Sequence, residues 1–172
     1  MHSIAWWPTL VVVVAATVAD IRTRRIPNWL VIPFLLAGLA SSVMVDGWSG
    51  LGQSVLGMLL GAVPMGILYW LGGMGLGDVK LCAGIGAWIG PRQLVTALVL
   101  TGIAGGVIAI AEAIRGGFLK QSLSGTGSLI YGFARRGLRP DPRFVLNHPV
   151  AKRMPYAPAI AIGTIISFFA LP

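Results

Sequence analysis

The chain has 172 residues, 56% of them hydrophobic and 10% charged, with a net charge of +8. A soluble domain carries about 25% charged residues, so this composition excludes an ordinary water-soluble globule and points to a single membrane-embedded domain over 1–172. The one cysteine, Cys82, lies in an apolar run; it excludes a disulfide framework and a CxxC metal site, and a small buried hydrophobe is its expected role.

The uncharged stretches are 3–19, 29–45, 47–77, 81–91, 93–111 and 154–172. Several approach the roughly 20 residues that cross a hydrocarbon core. The expected fold is therefore all-α and polytopic, with about six transmembrane helices. The first run is read as a span, not a signal peptide. Only His2 stands before it as a basic residue, and no A-x-A site precedes Asp20. It leads into Asp20-Ile21-Arg22-Thr23-Arg24-Arg25-Ile26-Pro27-Asn28. Pro27-Asn28 is a natural turn into the second span, with Asn28 the expected N-cap.

Asp46-Gly47-Trp48-Ser49-Gly50 reads as a tight external turn, with Asp46 a turn residue. Pro33 and Pro64 fall within spans and are expected to kink them. The third span ends in Gly75-Leu76-Gly77-Asp78-Val79-Lys80. The fourth is short. It is expected to start near Gly77, inside the membrane edge, and to end at Gly90-Pro91. Pro91-Arg92-Gln93 is the second external turn. The fifth span ends near Glu112, whose expected partner is Arg115 three residues on. Segment 112–153 reads either as a short interfacial amphipathic helix or as a flexible, basic cytoplasmic loop between the fifth and sixth helices. Gly57-xxx-Gly61 and Gly102-xxx-Gly106 match the small-xxx-small contact pattern and are expected to pack within the chain.

Twelve of the 13 Lys and Arg residues fall on one side of this topology; only Arg92 falls on the other. The positive-inside rule then places the N-terminus outside and both Asp20 and Asp78 at the cytoplasmic side. Attraction of these cations to anionic lipid headgroups explains the basic balance better than nucleic-acid binding does.

Asp20 and Asp78 each mark the point where a long apolar run meets a basic or glycine-rich segment. Ionisable residues at such depths are costly and functional by default. If the end of the first helix meets the start of the fourth, the two carboxyls share a proton. One carboxylate takes a proton from water, and the other, protonated, polarises a scissile carbonyl. Such a pair titrates jointly. The helix field favours the anion at Asp78 and disfavours it at Asp20, but Arg22, Arg24 and Arg25 act in the opposite sense on Asp20. Which is acid and which is base stays open, as does a plain ion pair of Asp20 with Arg24. The glycines before Asp78 would let backbone approach an extended substrate. Gly73-Met74-Gly75-Leu76-Gly77 is not a nucleotide fingerprint, because no strand or P-loop lysine-serine pair accompanies it.

In these residues the chain resembles the type IV prepilin peptidases, a branch of the GxGD aspartyl proteases. The first family motif stands here as Asp20, Arg22 and Ile26-Pro27-Asn28; the second as Gly75, Gly77, Asp78 and Lys80. A third is the entry to the last helix, Pro155-Tyr156-Ala157-Pro158, where a glycine is common at the Ala157 position. The resemblance runs from about residue 8 to the end. It implies catalytic Asp20 and Asp78, supported by Gly75, Gly77, Lys80, Arg22, Pro27 and Asn28. It further implies a bacterial inner-membrane enzyme of a pilus assembly system, with no metal or other cofactor. Its substrate would be a membrane-inserted prepilin, cut after a glycine to release a short basic leader at the cytoplasmic face. The longer bifunctional members carry paired CxxC motifs in an N-terminal region; this chain looks like the short form associated with Flp-type pili.

Three other readings compete. Presenilin-like proteases share the G-x-G-D pattern, but they carry Tyr-Asp where this chain has Ala19-Asp20. A proton-coupled transporter would want acids at mid-depth rather than at one edge. A non-catalytic pilus-assembly component predicts that both aspartates are dispensable.

Overall fold

The computed structural model describes residues 2–71, 74–115 and 156–170, with backbone only for 2–5 and 113. Every described element is an α-helix: α1 His2–Thr23, α2 Asn28–Trp70, α3 Leu76–Arg115 and α4 Ala157–Ala170. Long uncharged runs become helices because a helix satisfies all its own backbone polar groups, which lipid cannot do. α2 and the stretch 76–112 are each long and apolar enough to cross a membrane. Only 22% of the most apolar window of either is buried, whereas the core helix of a soluble protein would be mostly hidden. The outside of the bundle carries Val11, Ile32, Leu36, Leu56, Val99, Ile103 and Phe169, all exposed. The expectations for 116–155 lie outside the described residues.

α2 and α3 each contain a reversal. Gly47 has φ 61° and ψ −142°, and Gly90 has φ 73° and ψ 174°. Positive φ is open to glycine at little cost. At Gly90 the following Pro91 also forbids helical ψ. Helical φ/ψ runs on through Pro33 and Pro64, and the break in α2 falls at Gly47, within the expected turn Asp46-Gly47-Trp48-Ser49-Gly50.

The contacts fix the direction of each half. Phe34 and Gly38 lie against Gly84 and Trp88, numbers rising together. Ser54, Gly57 and Gly61 lie against Ala87, Gly86 and Cys82, numbers running opposite. The halves 28–46 and 48–70 therefore run antiparallel on either side of 76–89. Gly163 meets Thr101 and Ala97, and Tyr156 meets Gly105, so α4 runs antiparallel to 91–115. Trp6 packs edge-on to Phe168 at 5.4 Å while Thr17 reaches Ala157, so α4 also runs antiparallel to α1. Residues 20–28, 69–71, 74–78, 115 and 156–157 are thereby gathered at one end of the bundle.

The half 76–89 is the centre of the fold. Residues 81–87 are all buried. At a rise of 1.5 Å per residue it is about 21 Å long, short of a hydrocarbon core, as its sequence suggested. Small residues let its neighbours close on it. A Cβ on Gly57 would strike the Gly86 carbonyl, and one on Gly61 would strike that of Cys82. Trp88 Nε1–H donates to Phe34 O at 2.8 Å, and the Phe34 and Trp88 rings stack at 5.6 Å. Gly57-xxx-Gly61 is thus an internal contact.

Gly102-xxx-Gly106 is not internal. Both glycines face outward, with nothing among the described residues within 4 Å of a Cβ on either. Gly102→Ala and Gly106→Ala are therefore expected to raise stability by about 0.5–1 kcal/mol each, through helix propensity alone. Thermal unfolding in detergent checks this; a lowered midpoint would mean that the face is covered in the folded protein.

Candidate active site

Asp20 lies in the last turn of α1. The helix closes just after it. Arg24 N–H donates to Asp20 O at 2.8 Å, and Arg24 takes the left-handed backbone at φ 52°, a conformation that helix ends use and that costs a non-glycine residue about 1–2 kcal/mol. Thr23 Oγ1 bonds the Ala19 and Arg25 carbonyls. The Asp20 side chain is 8% exposed, and its Oδ2 accepts the Ala157 N–H at 3.2 Å. Ala157 is the first residue of α4. Asp20 therefore sits at a helix N-terminus as well as a helix C-terminus, and the expected contrast between the helix fields at the two aspartates does not hold.

The link 24–27 carries the chain from α1 into α2. Pro27 has φ −71° and ψ 136°, and its carbonyl accepts from Leu30 N–H at 3.2 Å and Val31 N–H at 3.4 Å. Pro27, not Asn28, is thus the N-cap residue. Asn28 is already helical, and its Oδ1 accepts from Lys80 Nζ at 3.0 Å.

Asp78 lies in the first turn of α3. Gly75 starts that helix, its carbonyl accepting from Asp78 N–H at 3.2 Å and Val79 N–H at 3.5 Å. The glycine also leaves room for the acid, since a Cβ there would stand 3.1 Å from Asp78 Oδ2. Gly77 differs from expectation. The space beside it is filled by Ile26, whose Cβ would be 3.0 Å from an added Cβ. Gly75 is exposed and can admit an extended chain; Gly77 admits the protein's own link.

Asp78 is 8% exposed, and its Oδ1 is buried with no hydrogen-bond partner among the described residues. Both carboxyls are thus buried at the same end of the bundle. The structure thus gathers Asp20, Asp78, Gly75, Gly77, Pro27, Asn28 and Lys80 at one end. Arg22, Arg24 and Arg25 are exposed. Among the described residues Asp20 forms no ion pair with them, nor Glu112 with Arg115. No group of three or more potential metal-ligating side chains occurs among the described residues.

Sequence reasoning missed Thr17, and it named Ala157 only as part of the entry to the last helix. Thr17 donates its hydroxyl to Val13 O at 2.8 Å and approaches Ala157 O at 3.4 Å. Ala157, 0% exposed, is held between Thr17 and Asp20. The available signal was a hydroxyl one helical turn before Asp20 in an otherwise apolar run. Two buried carboxyls at one end of a bundle can exchange protons with a water and a carbonyl placed between them.

A family model described as the type IV leader peptidase family matches residues 7–110. The chain is 35% identical over 106 residues to a prepilin leader peptidase/N-methyltransferase of Aeromonas salmonicida (strain A449), covering 58% of this chain and 36% of that protein. A protein of the same description from Burkholderia pseudomallei (strain K96243) is 29% identical over 109 residues, covering 59% of this chain and 35% of its own. One from Bacillus subtilis (strain 168) is 29% identical over 163 residues, covering 93% and 52%. The chain thus spans between about a third and a half of the length of these relatives. No solved structure matches it.

Proposed function

The chain belongs to the type IV leader peptidase family, and from that premise we propose that it is a membrane aspartyl endopeptidase that removes the short basic leader of a Flp-type prepilin. One observation carries the reading. Asp20 and Asp78, 58 residues apart in the sequence, are both buried at the same end of the bundle, each against a helix N-terminus. A structural protein gains nothing from burying two acids at one end of a bundle.

The reaction needs a proton acceptor and a proton donor. One carboxylate takes a proton as the water oxygen bonds to the carbonyl carbon of the leader glycine. The other carboxyl, protonated, donates to the carbonyl oxygen. Collapse of the tetrahedral species breaks the C–N bond and returns a proton to the departing amine. The pair acts as one titrating unit.

The six helical segments are read as six membrane crossings of one domain over 1–172, in a bacterial inner membrane. Exposed Trp29 and Trp70 at the site end and Trp48 at the other support this. Trp29 to Trp48 spans about 28 Å and Trp48 to Trp70 about 33 Å at 1.5 Å per residue, close to the roughly 30 Å between aromatic belts at the two interfaces. The uneven Lys and Arg distribution supports an outside N-terminus and a cytoplasmic site, with the basic segment beyond Arg115 beside anionic lipid.

The test is cleavage of a co-expressed Flp-type prepilin, read as a gel shift. A wild-type chain that inserts in the membrane yet leaves the prepilin intact overturns the reading. Within the same assay, Gly75→Ala is expected to slow cleavage roughly tenfold, equivalent to about 1.4 kcal/mol, because the new methyl group crowds Asp78 Oδ2. Unchanged cleavage by Gly75→Ala would mean that this oxygen takes no part.

A further inference from the structure

Asp78 stands on the least secure part of its helix. It lies in the first turn of α3, where end residues fray and N–H groups lack intrahelical partners. The two bonds that open the helix, from Asp78 N–H and Val79 N–H to Gly75 O, are long at 3.2 and 3.5 Å, and Asp78 Oδ1 has no hydrogen-bond partner among the described residues. Something else must hold this turn.

The contacts on either side of Asp78 come from the link after α1 and from the first residue of α2. Before it, Ile26 fills the space left by Gly77. After it, Lys80 Nζ donates to Asn28 Oδ1 at 3.0 Å, joining residues 52 apart in sequence. Lys80 follows Asp78 by two positions, about 200° around the helix, so its ammonium lies off the Asp78 face and is spent on Asn28. We infer that the Asn28–Lys80 bond is a latch, and that these two are positioning residues which hold the first turn of α3 so that Asp78 faces Asp20. The motif around the first aspartate then serves the second. This inference rests on the peptidase reading and deepens it.

The test uses the full chain in detergent with a purified Flp-type prepilin. Asn28→Ala and Lys80→Met are each expected to lower kcat roughly tenfold, since small misplacement of a reacting group is costly, with KM within about twofold of wild type. The double variant should be no worse than the poorer single. Exchange of the two residues, Asn28→Lys with Lys80→Asn, should recover most of kcat. Additive losses, no loss, or an exchange without recovery overturns the latch.

A second readout needs no substrate. Cys82, the chain's single cysteine, is buried one turn beyond Asp78. Its alkylation by maleimide should quicken in each single variant and return to the wild-type rate in the exchanged pair. Wild-type rates throughout overturn the latch. If the wild-type chain cuts no prepilin, the peptidase reading fails and the alkylation rates alone decide this inference.

Discussion

Asp20→Asn and Asp78→Asn are each expected to stop prepilin cleavage while leaving the protein inserted and folded. Proton transfer by a placed group contributes about 10²- to 10⁴-fold to a rate, and neither asparagine can take or give the proton. The effect on stability should be small or favourable. Asn keeps the shape of Asp, so an amide oxygen can still accept the Ala157 N–H at position 20, and at position 78 the change removes a buried acid whose Oδ1 has no partner among the described residues. The measurement is the gel shift for wild type and both variants, beside their membrane-extracted yield and thermal midpoint. Loss of cleavage with retained fold fits the dyad. Full processing by both variants would move a non-catalytic assembly role or a proton relay to the front. Loss of only one activity would leave a single general base and no pair.

The second large effect is expected at Gly57. A Cβ there meets the Gly86 carbonyl, and Gly86 in turn meets that of Gly57. Backbone stands against backbone, so no side chain can rotate away. Gly57→Leu must push the half 48–70 off the central helix, at a cost of about 3 kcal/mol or more, the upper range for overpacking. Against a total stability of about 5–15 kcal/mol, that is enough to cut the yield of folded protein severely. Gly52→Leu is the control on the same helical half, since nothing lies within 4 Å of a Cβ there. Thermal unfolding and monodisperse yield in detergent check the pair. Equal midpoints for the two variants would mean that the close crossing at Gly57 does not hold the fold.

The two effects have a common origin. Helices 28–46 and 48–70 clasp a central helix that starts beside Asp78. Close packing at Gly57 and Gly61 fixes the body of that helix, and the link at Ile26 and Asn28 fixes its first turn. Small residues serve this purpose in lipid because no hydrophobic force draws helices together there, and close approach must supply the attraction instead.

Much of this was legible in the order of residues. Uncharged runs in lipid can only be helices, and Gly47 and Gly90-Pro91 interrupt them where local backbone chemistry allows a reversal. Asp20 and Asp78 were conspicuous because the chain has only five acids. What only the folded molecule decided is which side of each helix faces inward. Gly57-xxx-Gly61 turned in and Gly102-xxx-Gly106 turned out, though the patterns are alike. Asp20 found a backbone amide 137 residues away instead of the neighbouring Arg24, and Gly77 received Ile26. In water an amphipathic stripe would have announced the inner face. In lipid both faces are apolar, so the sequence carries the lengths and the breaks of the helices, and the contacts between helices carry the rest.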